Sequence, residues 1–293
     1  MVKAKLKRFF GGLGLVLLVL ILGYLIICPL HLRWGATAEE VSRAMPDDLN
    51  GMRWTRAITV AATPEQIWPW LVQWGQGRGG WYSYDWLENL FGMDIHTADR
   101  ILPEYQNPAI GDPICMTANT CTSFVSVIEP NQYFGWQSSD ENNKPVWSFI
   151  FGLFPVDDTH TRLVMRESFD KDAMPPAVPF IIAIPDSVMM EKALNTVKHR
   201  AEGRPESVFT TPYEIIVWLA ALVMGLIATV LFINRQDWRK PLVVGVASVI
   251  ILLVLTFLFP PLWLRGVLDL GLLTGLVWSF RLNPKLGTGH HGH

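Results

Sequence analysis

The sequence predicts an α+β fold joined to transmembrane α-helices. Three observations predict it. Four stretches are apolar enough to enter a bilayer, one near the start of the 293 residues and three near the end. Between them lies a series of alternating, β-branched segments separated by turn residues. One strand and two short helices precede that series, and one long amphipathic helix follows it. This is the order of an antiparallel sheet with helices over one face. Composition agrees. Half of the chain is hydrophobic and only 17% is charged, against roughly 25% in an ordinary soluble domain.

The first apolar stretch runs from Phe9 to Leu30, carries no charge and follows Lys3, Lys5, Lys7 and Arg8. It is longer than the roughly 7–15 apolar residues of a cleaved signal peptide, so residues 1–30 read as a retained anchor. Residues 31–205 read as one folding unit. Residues 206–293 read as a second membrane region with two or three spans: Tyr213 to Asn234, Pro241 to Phe259, and the weaker Leu262 to Phe280. Arg265 and Asp269 interrupt the last of these, four residues apart, where they can pair on one helical face.

Positive residues favour the cytoplasmic side. The N-terminus, the Arg235–Lys240 loop, Arg281 and Lys285 all fall on that side if the chain crosses four times, and the middle unit is then extracytoplasmic. If the fourth segment lies in the interface instead, the tail is outside. His290, His291 and His293 read as a tail.

Residues 31–212 carry 14 Lys/Arg against 23 Asp/Glu, a net of −9, and the rest of the chain carries +7. An acidic middle excludes nucleic acid as a partner, because that needs a basic footprint. Cys115 and Cys121 flank a short turn. They stand either as a disulfide, in an oxidising compartment, or as two free thiols.

In the middle unit, a short helix is expected after Thr37. Arg56 to Ala62 alternates as a strand. Thr63-Pro64-Glu65-Gln66 opens a helix, with Thr as cap, Pro at the first helical position and Gln66 placed for a capping box. Tyr84 to Leu90 is a second short helix. Strands are expected at Gly111–Thr117, Cys121–Glu129, Gln132–Ser139, Val146–Val156 and His160–Phe169. Ala173 to Val188 is apolar with four prolines and reads as irregular. Met189 to Arg204 reads as an amphipathic helix, with Met190, Leu194, Val197 and Ala201 inward and Glu191, Lys192, Lys198 and Arg200 facing water.

Several segments resemble a known family: the strand followed by "TPEQIWPWLVQ", then "GQGRGGWYSYDWLENL", "DIHTADRILPE" and Gly111-Asp112. They resemble the START-like, helix-grip superfamily (SRPBCC), in a bacterial branch without an assigned reaction. The superfamily includes lipid-transfer domains, pollen-allergen-like carriers, and polyketide cyclases and dehydratases. The resemblance spans about residues 33–205. It is specific around 63–112, topological beyond Cys115, and does not reach the last three apolar segments. It implies a curved antiparallel sheet around a long C-terminal helix, with a hydrophobic cavity between them. It implies no shared catalytic residues.

The stretch Trp74–Arg100 holds most of the candidate chemistry. Its glycines follow a helix and lack Gly-Lys-Ser/Thr, so they do not form a nucleotide loop. Asp94, His96 and Asp99 lack a second nearby histidine, so no metal is expected, and no cofactor either. Asp85, His96 and Asp99 are weak candidates for acid–base catalysis; the alternative is a network in which Asp85 and Asp99 hold Arg78 or Arg100. Trp81, Tyr82 and Tyr84, with Trp136, Trp147 and Phe149 on later strands, fit the wall of an apolar pocket. Arg78 or Arg100 would then meet a ligand carboxylate. Three functional readings follow. The first is a membrane-anchored binder of a hydrophobic small molecule or lipid. The second is a cyclase- or dehydratase-type enzyme. The third is a non-enzymatic signalling or assembly module.

Overall fold

The computed structural model describes residues 2–173 and 177–281. Lys285, His290, His291 and His293, and part of the proline run, lie outside the described residues. Among the described residues the chain forms eight α-helices and six strands. It divides into two compact units, Pro29–Ser207 and the remainder.

The first unit opens on the short helix α2 (Ala38–Ser42), whose capping box is closed by Thr37 and Glu40. Strand β1 (Arg53–Val60) follows, then α3 (Pro64–Val72), where the Thr63 amide donates to Gln66 Oε1 at 2.9 Å. Pro69 is the sixth residue of α3, beyond the first turn, so the Glu65 carbonyl loses its helical N–H donor. Helix α4 (Asp85–Leu90) precedes strands β2 (Pro113–Ile114), β3 (Ser123–Glu129), β4 (Tyr133–Ser139), β5 (Pro145–Pro155) and β6 (Thr161–Phe169). The six form one antiparallel sheet in the order β1-β6-β5-β4-β3-β2. The register shifts between Val125 and Val127 and between Ser138 and Ser139; such irregularities bend a sheet and increase its twist.

Both faces of the sheet are buried. On one face Ile150, Ala57 and Val164 pack with Met45 of the lead-in. Arg166 reaches from that face to Thr55 Oγ1, to Asp48 and to the Glu40 carbonyl. The other face carries the main core: Phe134 and Trp136 of β4, Phe149, Phe151 and Leu153 of β5, and Leu163 and Met165 of β6, against α3 and α5 (Ala177–Ala201).

Helix α5 corrects two expectations. The proline-bearing segment from Ala177 is helical rather than irregular. Pro179 lies in the first turn, where its missing N–H is not needed. Pro185 removes one bond only, and Ser187 Oγ donates to the Ala183 carbonyl at 2.7 Å nearby. Glu191 and Lys192 do not face water. Both are buried, and Lys192 Nζ donates to Glu206 Oε2 and lies 5.5 Å from the Tyr84 ring centre. Burial of the helix on two sides overrides the simple amphipathic stripe.

The second unit comprises α1 (Val2–His31, through Cys28), α6 (Thr210–Asn234), α7 (Arg239–Phe257) and α8 (Leu262–Phe280). All four helices are long and apolar enough to cross a membrane. Lys5, Arg8, Arg235 and Lys240 gather at one end. Lys5 Nζ donates to Asn234 Oδ1 at 2.9 Å and Arg8 Nη1 to the Arg235 carbonyl at 2.6 Å. Arg235 Nη1 donates to the Ser279 carbonyl and Lys240 Nζ to the Arg281 carbonyl. At the other end Arg265 pairs with Glu214 at 3.2 Å and donates to the Pro260 carbonyl. The expected Arg265–Asp269 pair is therefore replaced by one between helices. A buried guanidinium finds better geometry across the α6–α8 contact than along its own helix.

Candidate functional site

The aromatic stretch closes on itself through short-range bonds. Gln73, fully buried at the end of α3, is its hub. Its Nε2 donates to Tyr82 Oη at 2.9 Å and to the Arg100 carbonyl at 3.1 Å, and its Oε1 accepts from the Leu102 amide. Tyr82 is held at φ +57°, a conformation disfavoured for an aromatic residue and tolerated where the surroundings over-determine it. The glycines serve close approach: a Cβ on Gly80 would lie 2.7 Å from Thr97 Cα. Asn89 bonds the Ile95 backbone through both its amide groups.

The three acid–base candidates do not converge. Asp85 accepts from the Thr97 amide and hydroxyl at 2.7 and 2.6 Å, so its network ties two loops rather than an arginine. His96 is 80% exposed beside Asp94 at 3.1 Å. Asp99 and Arg100 are exposed. Arg78 is half-buried, donates to the Val72 carbonyl at 2.9 Å and stacks 4.9 Å from the Tyr105 ring centre. It lines a surface cleft of about 350 Å³ with Gln76, Glu104, Asp112 and Cys115. Cys115 is bonded to Cys121. Glu88, in the same stretch, was not singled out from the sequence. It is buried, accepts a bond from Ser83 Oγ, and is pushed up to about 7 by burial and, secondarily, by the nearby Asp85 charge.

The other candidates meet on the inner face of the sheet, in two groups. In the first, Trp81, Tyr82, Trp136 and Phe149 surround Trp74. Trp136 stacks on Phe149 at 4.4 Å, and Trp74 lies 4.9 Å from Phe151 and 5.1 Å from Tyr82. These are contact distances. The rings fill the space between sheet and helix rather than standing round an open chamber. Trp74, Trp81 and Trp136 form a triangle with ring centres 6.2, 6.5 and 6.5 Å apart. Each has a buried indole N–H with no hydrogen-bond acceptor. Buried donors are normally satisfied; Trp54 Nε1 elsewhere in the core also lacks an acceptor, and the triangle is where three such donors cluster.

The second group is charged. Trp147 joins it: its Nε1 donates to Glu167 Oε2 at 3.1 Å. The guanidinium of Arg56 is fully buried. It donates to Glu167 Oε1 at 3.3 Å, to Asp186 Oδ2 at 2.6 Å and to the His31 carbonyl at 3.1 Å. Burial, and next the Asp186 charge, hold Glu167 well above the usual carboxylate range. Burial thus disfavours charge on Glu167, and Arg56 binds both it and Asp186. The sequence shows only an Arg in one strand, a Glu in another and an Asp in a helix; nothing in their spacing joins them. Tyr84 stands apart from both groups, with Lys192 over its ring.

No family model and no curated protein matches the chain. Among solved structures it is similar to a Polyketide_cyc-like protein from Corynebacterium glutamicum, at 19% identity over 65% of this chain and 92% of that one, with a TM-score of 0.24. It is also similar to a conserved protein of unknown function from Enterococcus faecalis, at 17% identity over 56% and 82%, with a TM-score of 0.28. A protein from Mesorhizobium loti gives 18% identity over 48% and 94%, with a TM-score of 0.28. At these scores none of them assigns a fold family or an activity to this chain.

Proposed function

We propose that residues 31–205 form a helix-grip domain that binds a hydrophobic small molecule or lipid, held at the membrane by residues 1–30 and 206–293. The observation that carries this reading is the Trp74–Trp81–Trp136 triangle. Its walls are apolar, and its three unpaired N–H groups select hydrogen-bond acceptors such as ester, ketone or ether oxygens. The ligand class is therefore an apolar molecule with acceptor oxygens. Because the rings touch, admission of the ligand displaces one of them. The domain lies on the extracytoplasmic side; the Cys115–Cys121 bond and the clustering of basic groups at one end of the helical bundle support that placement.

The test uses the full chain in nanodiscs with ¹⁵N-labelled tryptophan and a long-chain methyl ester as probe. The three indole N–H resonances, assigned through Trp→Phe variants, move downfield as the ester is added, and the alkane of equal length moves them less. Unmoved resonances, together with native mass spectra free of any co-purifying molecule, would sink the reading.

A second reading rests on Glu167. A buried carboxyl whose burial favours the protonated form can give a proton to a carbonyl and take one back, which is the requirement of cyclisation or dehydration. Glu167→Gln would then leave the bound molecule in place and stop its conversion. If that variant converts the bound molecule as wild type does, the enzymatic reading fails.

A further inference from the structure

Helix α5 has one buried stripe and two different outer faces. Ala183, Ser187, Met190, Leu194 and Val197 are buried along its whole length. In the C-terminal half Lys198 Nζ donates to the Thr59 carbonyl and Arg200 lies over the Trp70 ring, so the helix carries charge there. The N-terminal half presents Val178, Ile181, Ile182 and Ile184, which are 37%, 64%, 39% and 42% exposed. No charged residue occurs from 173 to 185. Four β-branched, apolar side chains within about two solvent-facing turns are a patch that needs a partner.

The chain itself identifies the partner. A candidate membrane span ends at His31, and β1 begins at Arg53. After α5 ends at Ala201, the next span begins at Thr210. The eight intervening residues reach at most ~28 Å when fully extended. Both ends of the domain are thus tied to the bilayer by short segments. A tethered surface meets its target at high effective concentration, so a small apolar face suffices. No comparable tether brings a second copy of the chain or a foreign protein to this turn.

We infer that the outer face of α5 between Val178 and Ile184 rests in the membrane interface, with Ile181, Ile182 and Ile184 among the lipid headgroups and upper acyl chains. Apolar helix faces of this kind settle roughly 5–10 Å into that boundary. The contact lies one turn before Asp186, whose bond to Arg56 fastens the same part of α5 to the sheet. The inference does not depend on ligand binding, and its test does not use a ligand.

The experiment places one environment-sensitive fluorophore on full-length protein in phosphatidylcholine nanodiscs. Ile181→Cys and, separately, Ile184→Cys are made in a Cys28→Ser background, so that the new thiol is the only free one. Both positions are exposed, and near-UV circular dichroism checks that the fold is retained. The expected result is a blue-shifted emission at both sites, quenched more strongly by nitroxide-bearing lipid than by an aqueous nickel chelate. The reverse preference at both sites overturns the inference. So does a blue shift that lipid nitroxide leaves untouched and that grows with protein density, which would identify a second copy as the occupant. Loss of the indole response with retained lipid quenching would remove the ligand reading and leave the membrane contact standing.

Discussion

The two ends of the interior beneath α5 are satisfied unequally. At one end Arg56, Glu167, Asp186 and Trp147 answer one another, donor to acceptor, with no water needed. At the other, three indole N–H groups have no acceptor, although the rings around them pack at contact distance. The charged end is therefore largely closed on itself, with only the Trp54 indole N–H beside Arg56 unpaired, whereas the aromatic end holds three such donors together. The difference teaches that charge alone does not mark a binding site. A completed network fixes the helix on the sheet, while an unfinished one invites a guest.

Removing one member of the complete network should hurt most. Arg56→Met leaves Asp186 buried without a counter-charge and should cost about 3–5 kcal/mol in denaturant unfolding. The combined Arg56→Met, Glu167→Leu and Asp186→Asn variant should recover most of that loss. If it does not, the cluster contributes more than mutual compensation and the comparison breaks.

Glu88 provides a second, smaller test with a definite pH sign. Its folded-state value is raised to about 7 from 4.5. The stability it contributes is present below pH 4.5 and lost as pH rises through about 7. Glu88→Gln should therefore gain on the order of 3 kcal/mol over wild type at pH 8 and little at pH 4.5. Equal curves at both pH values would show that the carboxyl is not desolvated.

Trp136→Phe sharpens the open end. It keeps an aromatic plate on Phe149 and removes one orphan donor, so stability should change by less than about 1.5 kcal/mol. Affinity for the ester probe should fall by about 1 kcal/mol, roughly fivefold. A loss of stability without a loss of affinity would make the triangle ordinary core. The smallest effects belong to His96→Ala and Asp99→Asn. Each should move stability by no more than about 0.5 kcal/mol and leave probe binding unchanged, because neither side chain reaches the interior.

Local signals made much of the architecture legible. Alternation and turn residues located the strands to within a few positions, because a strand buried on both faces, such as β5, advertises itself by apolar content alone. The Thr63 cap was readable because capping is a contact over three residues. The opposite error arose at α5, where counting prolines ignored their position: one lies in the first turn, where no helical bond is lost. The candidate site was half legible. Trp81, Tyr82, Trp136 and Phe149 do meet, since aromatic residues in a mixed fold gather in its core. Trp74, at their centre, is not among the residues the sequence singles out. Arg56, Glu167 and Asp186 were missed because each is unremarkable in its own segment.

The four apolar helices, the antiparallel sheet, the capped α3 and the acidic middle of the chain are all legible in the order of residues alone. These follow from length, period and composition, which act over neighbours. Only the tertiary structure decided which charges meet: Arg56 with Asp186, Arg265 with Glu214 rather than Asp269, and Asp85 with Thr97 rather than an arginine. A buried charge takes the partner that best replaces its lost water, and that partner is chosen by packing in space, across more than a hundred residues of chain in the case of Arg56.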